Sequence, residues 1–198
     1  QALRGVGLIP TAVCSRPGSL RVRDFARRHG IPRIFPGVSD LLRNERLWDA
    51  LVIAVSPEAT FSVLQQALSV GKPILVEKPV SVRSQDLEPM LGNNLPVIVG
   101  YNRRFYPPVL HARALVRGAS APWIGHMMVS ETVARDDSDS PALKRFIYNG
   151  VHAVDVLRFV CGEVEPVHVE RVYDSAQRLV GLQVLLKPLQ MQGSVTDR

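Results

Sequence analysis

The sequence predicts an α/β fold: a doubly wound parallel sheet followed by a partial α+β domain with an antiparallel sheet. Three observations predict it. Short apolar runs at 51–55, 74–76 and 96–100 alternate with stretches of helical spacing, which implies right-handed strand–helix–strand crossovers. The run Ile74-Leu75-Val76 climbs out of the turn Gly71-Lys72-Pro73 without a polar break, as a strand buried on both faces does. After Phe105 the rhythm changes to one helical stretch, loosely alternating segments, a second helix and two strands joined by a polar turn.

Each element follows from local chemistry. Residues 8–15 are apolar and β-prone and read as a strand. Residues 20–29 read as a basic helix with Ser19 as N-cap and Gly30 as its stop. Arg33–Phe35 is a short strand, and 39–45 a short helix capped by Ser39. The run 51–55 is a strand, and Ser56-Pro57 starts the next helix with a serine cap and proline at the first helical position. Residues 74–76 form a strand, 84–91 a helix and 96–100 another strand. Beyond them, 109–117 reads as a connecting helix, 123–133 as an antiparallel strand and 135–140 as a polar loop. Asp136, Asp137 and Asp139 in that loop lack the glycine and distant glutamate of a calcium loop, so no metal is expected. A helix at 150–161 stops at Gly162, and strands at 166–174 and 179–186 follow. The domain boundary is expected at 104/105.

Composition narrows the function. The 198 residues suffice for a substantial core, and no apolar run is long enough to span a bilayer. No basic, apolar leader opens the sequence, and the expected compartment is the cytoplasm. Cys14 and Cys161 sit in apolar surroundings and read as buried thiols under reducing conditions. The net charge of +6 suits an anionic cofactor or substrate. The arginines are scattered and no nucleic-acid motif accompanies them, so neither a nucleic acid nor a membrane partner is expected.

Ligands of parallel sheets sit outside the carboxyl ends of the strands. Glu77 and Lys78 therefore stand at a ligand edge or else form a surface ion pair, and Pro79 stops the ladder. Asn102, Arg103 and Arg104 follow the strand at 96–100 and belong to the same edge, as contacts or as loop polarity. A lone His152 near a helix start is by itself more often structural. Tyr148, four residues earlier, shares its face if the segment is helical. Asp155 reads as a structural cap or pair, with Arg158 as its helical neighbour.

In order along the chain, Asp49 to Pro57, Ile74 to Pro79, Gly100-Tyr101-Asn102-Arg103-Arg104-Phe105 and Gly150-Val151-His152 resemble the Gfo/Idh/MocA family of nicotinamide-dependent oxidoreductases. The resemblance runs from about residue 8 to about residue 186. It implies a Rossmann-like first domain, over 1–104, and a substrate and oligomerisation domain over 105–198. It also implies that the sequence is a piece, because Arg4-Gly5-Val6-Gly7 has no strand ahead of it to form the family's glycine-rich turn. A helix following those glycines would end near Gly5. The strand ahead of it would be central to the sheet, so its absence leaves two inner edges unpaired. The second domain is likewise shorter than the family's.

The resemblance assigns roles residue by residue. Ser15 and Arg16 end the strand that selects the cofactor, where an acid would accept the ribose of NAD and a guanidinium accommodates a 2′-phosphate. NADP is therefore expected, with NAD the alternative. Ser56 and Pro57 would border the dinucleotide; Phe61 stands where the family usually has histidine. Lys78 would lie beside the nicotinamide and the reacting carbon, Glu77 would orient neighbouring groups, and the Lys78-Pro79 peptide is commonly cis. Asn102 and Arg104 would touch cofactor or substrate. His152 would handle the hydroxyl proton. Tyr148 replaces the family's aspartate and could hydrogen-bond substrate or act as an acid beside Lys78. The implied activity is hydride transfer between nicotinamide and a sugar, inositol or related polyol, in a homo-oligomer formed through the second-domain sheet. The loss of the aspartate at 148 leaves open a non-catalytic dinucleotide-binding sensor of the same fold.

Overall fold

The computed structural model describes residues 2–90, 96–119, 127, 146–177 and 179–189. The chain divides into two compact units, Gln1–Gly100 and Tyr101–Arg198. The strand expected at 123–133 and the loop at 135–140 with its three aspartates lie outside the described residues, apart from Met127.

The first unit opens with α1 (Ala2–Gly5), a single helical turn ending at the residue the family resemblance implied. Strand β1 (Ala12–Cys14) is shorter than the expected 8–15. Pro10 has no N–H to give a ladder, and the residues before it stay outside the strand, with Ile9 77% exposed. Helix α2 (Arg21–His29) ends at Gly30, whose left-handed backbone (φ 59°) returns its N–H to the carbonyls of Ala26 and Arg27. Ser19 is not its cap: the N-cap is Leu20, without a side-chain bond. Asp24 in the first turn is held instead by Arg27 and Arg28. Strand β2 (Arg33–Phe35) pairs with β1 in parallel, Val13 opposite Ile34.

Helix α3 (Val38–Arg43) starts from Gly37 in extended backbone, so Ser39 lies inside the helix instead of capping it. Trp48 beyond it is buried, and its Nε1 donates to the Leu41 carbonyl at 3.2 Å. The Lys72 ammonium donates to the carbonyls of Glu45 and Trp48 at 2.6 and 2.5 Å and lies 4.8 Å from the centre of the Trp48 ring. That one cation satisfies two loop carbonyls at once, which fixes the approach to β3.

Strands β3 (Leu51–Ile53), β4 (Ile74–Val76) and β5 (Val97–Val99) form a separate parallel sheet in that order. Helix α4 (Pro57–Leu68) supplies the crossover from β3 to β4. Its Leu64 and Ala67 join Ile53, Ile74, Val76 and Val80 in the core. Proline occupies the first turn of α4 as expected, but Ser56 makes no side-chain cap; its carbonyl accepts from the N–H of Ala59 and Thr60 and from the Thr60 hydroxyl. The expected helix at 84–91 is two 3₁₀ turns, Ser84–Asp86 and Glu88–Met90. Pro89 can neither donate nor let the preceding residue settle into α geometry, so no α-helix propagates.

One expectation about β4 fails. Its burial alternates: Ile74 and Val76 are buried, while Leu75 is 40% exposed. The register sets Val52, Leu75 and Ile98 side by side, and all three are exposed. Only the face toward α4 is covered among the described residues. The outer edges of β1 and β3 also carry no ladder partner among them.

The second unit begins with the 3₁₀ turn Asn102–Phe105 and α5 (Pro107–Gly118). A π turn (Phe146–Gly150) leads into α6 (Val151–Cys161), which Gly162 ends at φ 82°. Strands β6 (Val164–Tyr173) and β7 (Leu179–Pro188) pair antiparallel with a bulge after Pro166, where the ladder lacks a donor. The two sheets of the first unit and this hairpin reproduce the α/β class expected. Among the described residues no helix is long and apolar enough to cross a membrane.

Cys14 and Cys161 are free and only part-buried, less enclosed than their apolar neighbours suggested. Burial still raises both thiols above their ordinary 9.0, and burial, then Asp155, raises the Tyr101 phenol above 10.0. The fold thus binds these protons more tightly than the unfolded chain does. That contribution is complete below the ordinary thiol value and is lost as pH rises through the folded values. Urea midpoints are expected to hold steady from about pH 7 to 8.5 and to fall above about pH 9, with Cys14→Ser flattening the decline. An unchanged midpoint at pH 10 would contradict this.

Candidate active site

The first unit presents its candidate groups at the carboxyl ends of β3, β4 and β5. The parallel ladder runs one residue past the strands: the Glu77 N–H donates to the Ile53 carbonyl at 2.9 Å, and the Gly100 N–H donates to the Val76 carbonyl at 2.8 Å. The β4 backbone therefore delivers Glu77 and Lys78 where the sheet stops. Gly100 packs close to this turn: a Cβ there would meet the Val76 carbonyl oxygen at 3.4 Å and the Glu77 carboxylate at 3.5 Å, ordinary van der Waals contact. The Lys78-Pro79 peptide is cis, as the resemblance implied. Glu77 is exposed and Lys78 half-buried, and the Lys78 N–H reaches the Glu77 carboxylate at 3.3 Å. Ser56 and Pro57 leave the end of β3 with Ser56 exposed.

Ser15 and Arg16 stand at the end of β1. The Ser15 hydroxyl donates to the Arg16 carbonyl at 3.2 Å. The Arg16 side chain is exposed, and no carboxylate pairs with it among the described residues. No acid stands at this strand end. A hydroxyl and an exposed guanidinium are donors that an anionic cofactor can use.

The second unit gathers another group. Arg104 grips Asp155 through Nε, at 3.0 and 2.8 Å from the two carboxylate oxygens, and through Nη2. Its guanidinium lies 5.6 Å from the ring centres of both Tyr101 and Phe159. Asp155 is 6% exposed, so this bidentate pair is what lets a carboxylate sit inside the unit. The hydrogen bonds that Arg104 donates to Asp155 raise its affinity for its proton. Arg158, the helical neighbour of Asp155, turns instead to Glu163. His152 is buried at 6% exposure in the first turn of α6, edge-on to Tyr101 with ring centres 6.2 Å apart. Tyr148 is half-buried in the π turn that precedes α6, and Asn102 is exposed.

The structure thus brings Glu77 and Lys78 to one strand edge in the first unit, and Tyr101, Arg104, His152 and Asp155 to one neighbourhood in the second. Tyr101 and the Arg104–Asp155 pairing are what sequence reasoning missed. Tyr101 sat within the recognised motif; the ion pair, 51 residues apart, had no local signal. No cluster of three or more metal-ligating side chains occurs among the described residues.

Comparison with known proteins agrees with this architecture. Residues 9–92 match the model of an oxidoreductase family with an NAD-binding Rossmann fold. Oxidoreductase P35 of Formosa agariphila is 30% identical over 100 residues, 48% of this chain and 31% of that protein. Inositol 2-dehydrogenase of Rhizobium meliloti is 30% identical over 131 residues, 61% of this chain and 38% of that protein. The crystal structure of an oxidoreductase from Thermotoga maritima superposes with a TM-score of 0.70 at 24% identity, covering 91% of this chain and 60% of that one, and shares the fold. The chain spans about a third of the length of the curated relatives it matches. The matched stretch, residues 9–92, is similar to the Gfo/Idh/MocA oxidoreductases and carries the cis Lys78-Pro79 peptide at the end of its middle strand.

Proposed function

We propose that the protein is an NADP-dependent oxidoreductase acting on a carbohydrate, inositol or related polyol. In this reading residues 1–104 bind the dinucleotide and 105–198 belong to the substrate domain. The observation that carries the reading is Lys78, delivered with Glu77 to the carboxyl edge of the β3–β4–β5 sheet. A bound dinucleotide supplies or accepts a hydride. Lys78 holds the substrate oxygen and stabilises the negative charge that grows on it. Glu77, beside the Lys78 N–H, keeps the turn in place and orients neighbouring hydroxyls. His152 takes or returns the hydroxyl proton, with Tyr148 a hydrogen-bonding group one turn earlier. Asn102 and Arg104 contribute polar contacts, Arg104 from a guanidinium already fixed by Asp155.

The cofactor preference rests on Arg16. Titrating the protein with both dinucleotides should show tighter binding of NADP, and Arg16→Ala should weaken NADP roughly tenfold while leaving NAD within about twofold. Tighter binding of NAD to the unaltered protein would remove the preference.

Tyr148 in place of aspartate favours a second reading, a dinucleotide-binding sensor without turnover. Both readings expect cofactor binding. Only the enzyme reduces NADP in the presence of some member of a sugar and polyol panel.

A further inference from the structure

The second unit holds two arginines, Arg113 and Arg117, that the redox reading does not use. A cleft of about 600 Å³ lies along α5, the C-terminal half of α6 and the start and end of the β6–β7 hairpin. Four guanidinium groups line it, from Arg104, Arg113, Arg117 and Arg158, against one carboxylate, Glu163. Two of the four are already matched: Arg104 by Asp155 and Arg158 by Glu163. Arg113 and Arg117 have no carboxylate partner among the described residues.

These two lie four residues apart on α5, so they share one helix face. Like charges at that spacing destabilise a helix. Arg113 is also held in place: its guanidinium lies 4.1 Å from the centre of the Phe159 ring, and its Nε is buried without a hydrogen-bond partner. A planar, permanently charged donor fork is thereby pre-set beside a second one, Arg117, which is exposed and free to close over a ligand. Two uncompensated guanidinium groups match a dianion. The volume exceeds what an inorganic oxyanion fills and falls within the range of small-molecule pockets.

We propose that this cleft binds a phosphate-bearing small molecule, with Arg113 and Arg117 holding the phosphate. The site stands on second-unit residues alone and does not depend on the dinucleotide reading.

Calorimetric titration of the whole chain with orthophosphate and with a hexose monophosphate, against chloride at equal ionic strength, tests it. The expected result is saturable one-to-one binding, weakened about tenfold by Arg117→Ala and by Arg113→Met, which keeps the packing on Phe159. Arg113→Lys should recover part of the loss. Tighter binding of the hexose monophosphate would identify an ester as the ligand; equal affinities would identify the free anion. Heats that track ionic strength alone would overturn the proposal. So would phosphate binding that survives both α5 substitutions but disappears in Arg16→Ala, since the anion would then sit on the first unit.

Discussion

Replacing Lys78 with alanine is expected to lower turnover of a polyol substrate by roughly a hundredfold or more, the scale on which removing one charge-stabilising donor acts. Affinity for the dinucleotide should change less than about threefold, because the lost group acts on the developing oxyanion. The strand edge should survive. The backbone bonds that place residue 78, from Glu77 to Ile53 and from Gly100 to Val76, involve no lysine side chain. Lys78→Arg keeps the charge but moves it on a longer, planar head, so only partial recovery is expected. Steady-state kinetics with a separate cofactor titration checks both halves. Undiminished turnover in the alanine variant would take Lys78 out of the chemistry.

The second large effect concerns stability. Arg104→Met should destabilise the protein by about 3 kcal/mol, within the range for stranding one member of a buried pair. The two partners are not equivalent. Asp155 is 6% exposed and Arg104 40%, so removing the arginine leaves a carboxylate inside the unit, whereas removing the acid leaves a cation that water can reach. Asp155→Asn should therefore cost less, about 1–2 kcal/mol. The double variant Arg104→Met, Asp155→Leu should recover much of the loss, since a packed apolar pair asks for no compensation. Urea unfolding at neutral pH measures all three. A single-variant cost under about 0.5 kcal/mol for Arg104→Met would mean that water reaches the carboxylate.

Much of this architecture was legible because the signals were local. Apolar triplets between Gly and Pro punctuation located β3, β4 and β5, and Gly30 and Gly162 marked helix ends. Local signals also misled where backbone geometry decided. Ser19, Ser39 and Ser56 all have capping chemistry, yet none makes a side-chain cap, because Leu20 and Gly37 hold the caps of α2 and α3 and the Ser56 hydroxyl does not reach back to the α4 amides. Pro10 shortened β1 and Pro89 broke a helix. The strand-edge placement of Glu77 and Lys78 could be read from residue order alone. The partner of Asp155 could not: helical spacing offered Arg158, and only tertiary folding offered Arg104, with the better bidentate fork. Arg113 and Arg117 were visible at helical spacing, but that no carboxylate among the described residues pairs with them becomes visible only once the neighbouring helix and hairpin are in place.

The row of Val52, Leu75 and Ile98 has a further consequence. Their exposures of 47%, 40% and 69% leave the equivalent of one or two whole aliphatic side chains in contact with water. Roofing that shelf would release about 3 kcal/mol, a sizeable fraction of the net stability of an ordinary domain. The three strands are therefore written for a sandwich. Whatever apolar layer settles on the open side, from this chain or from another molecule, gains adhesion there without needing any specific hydrogen bond.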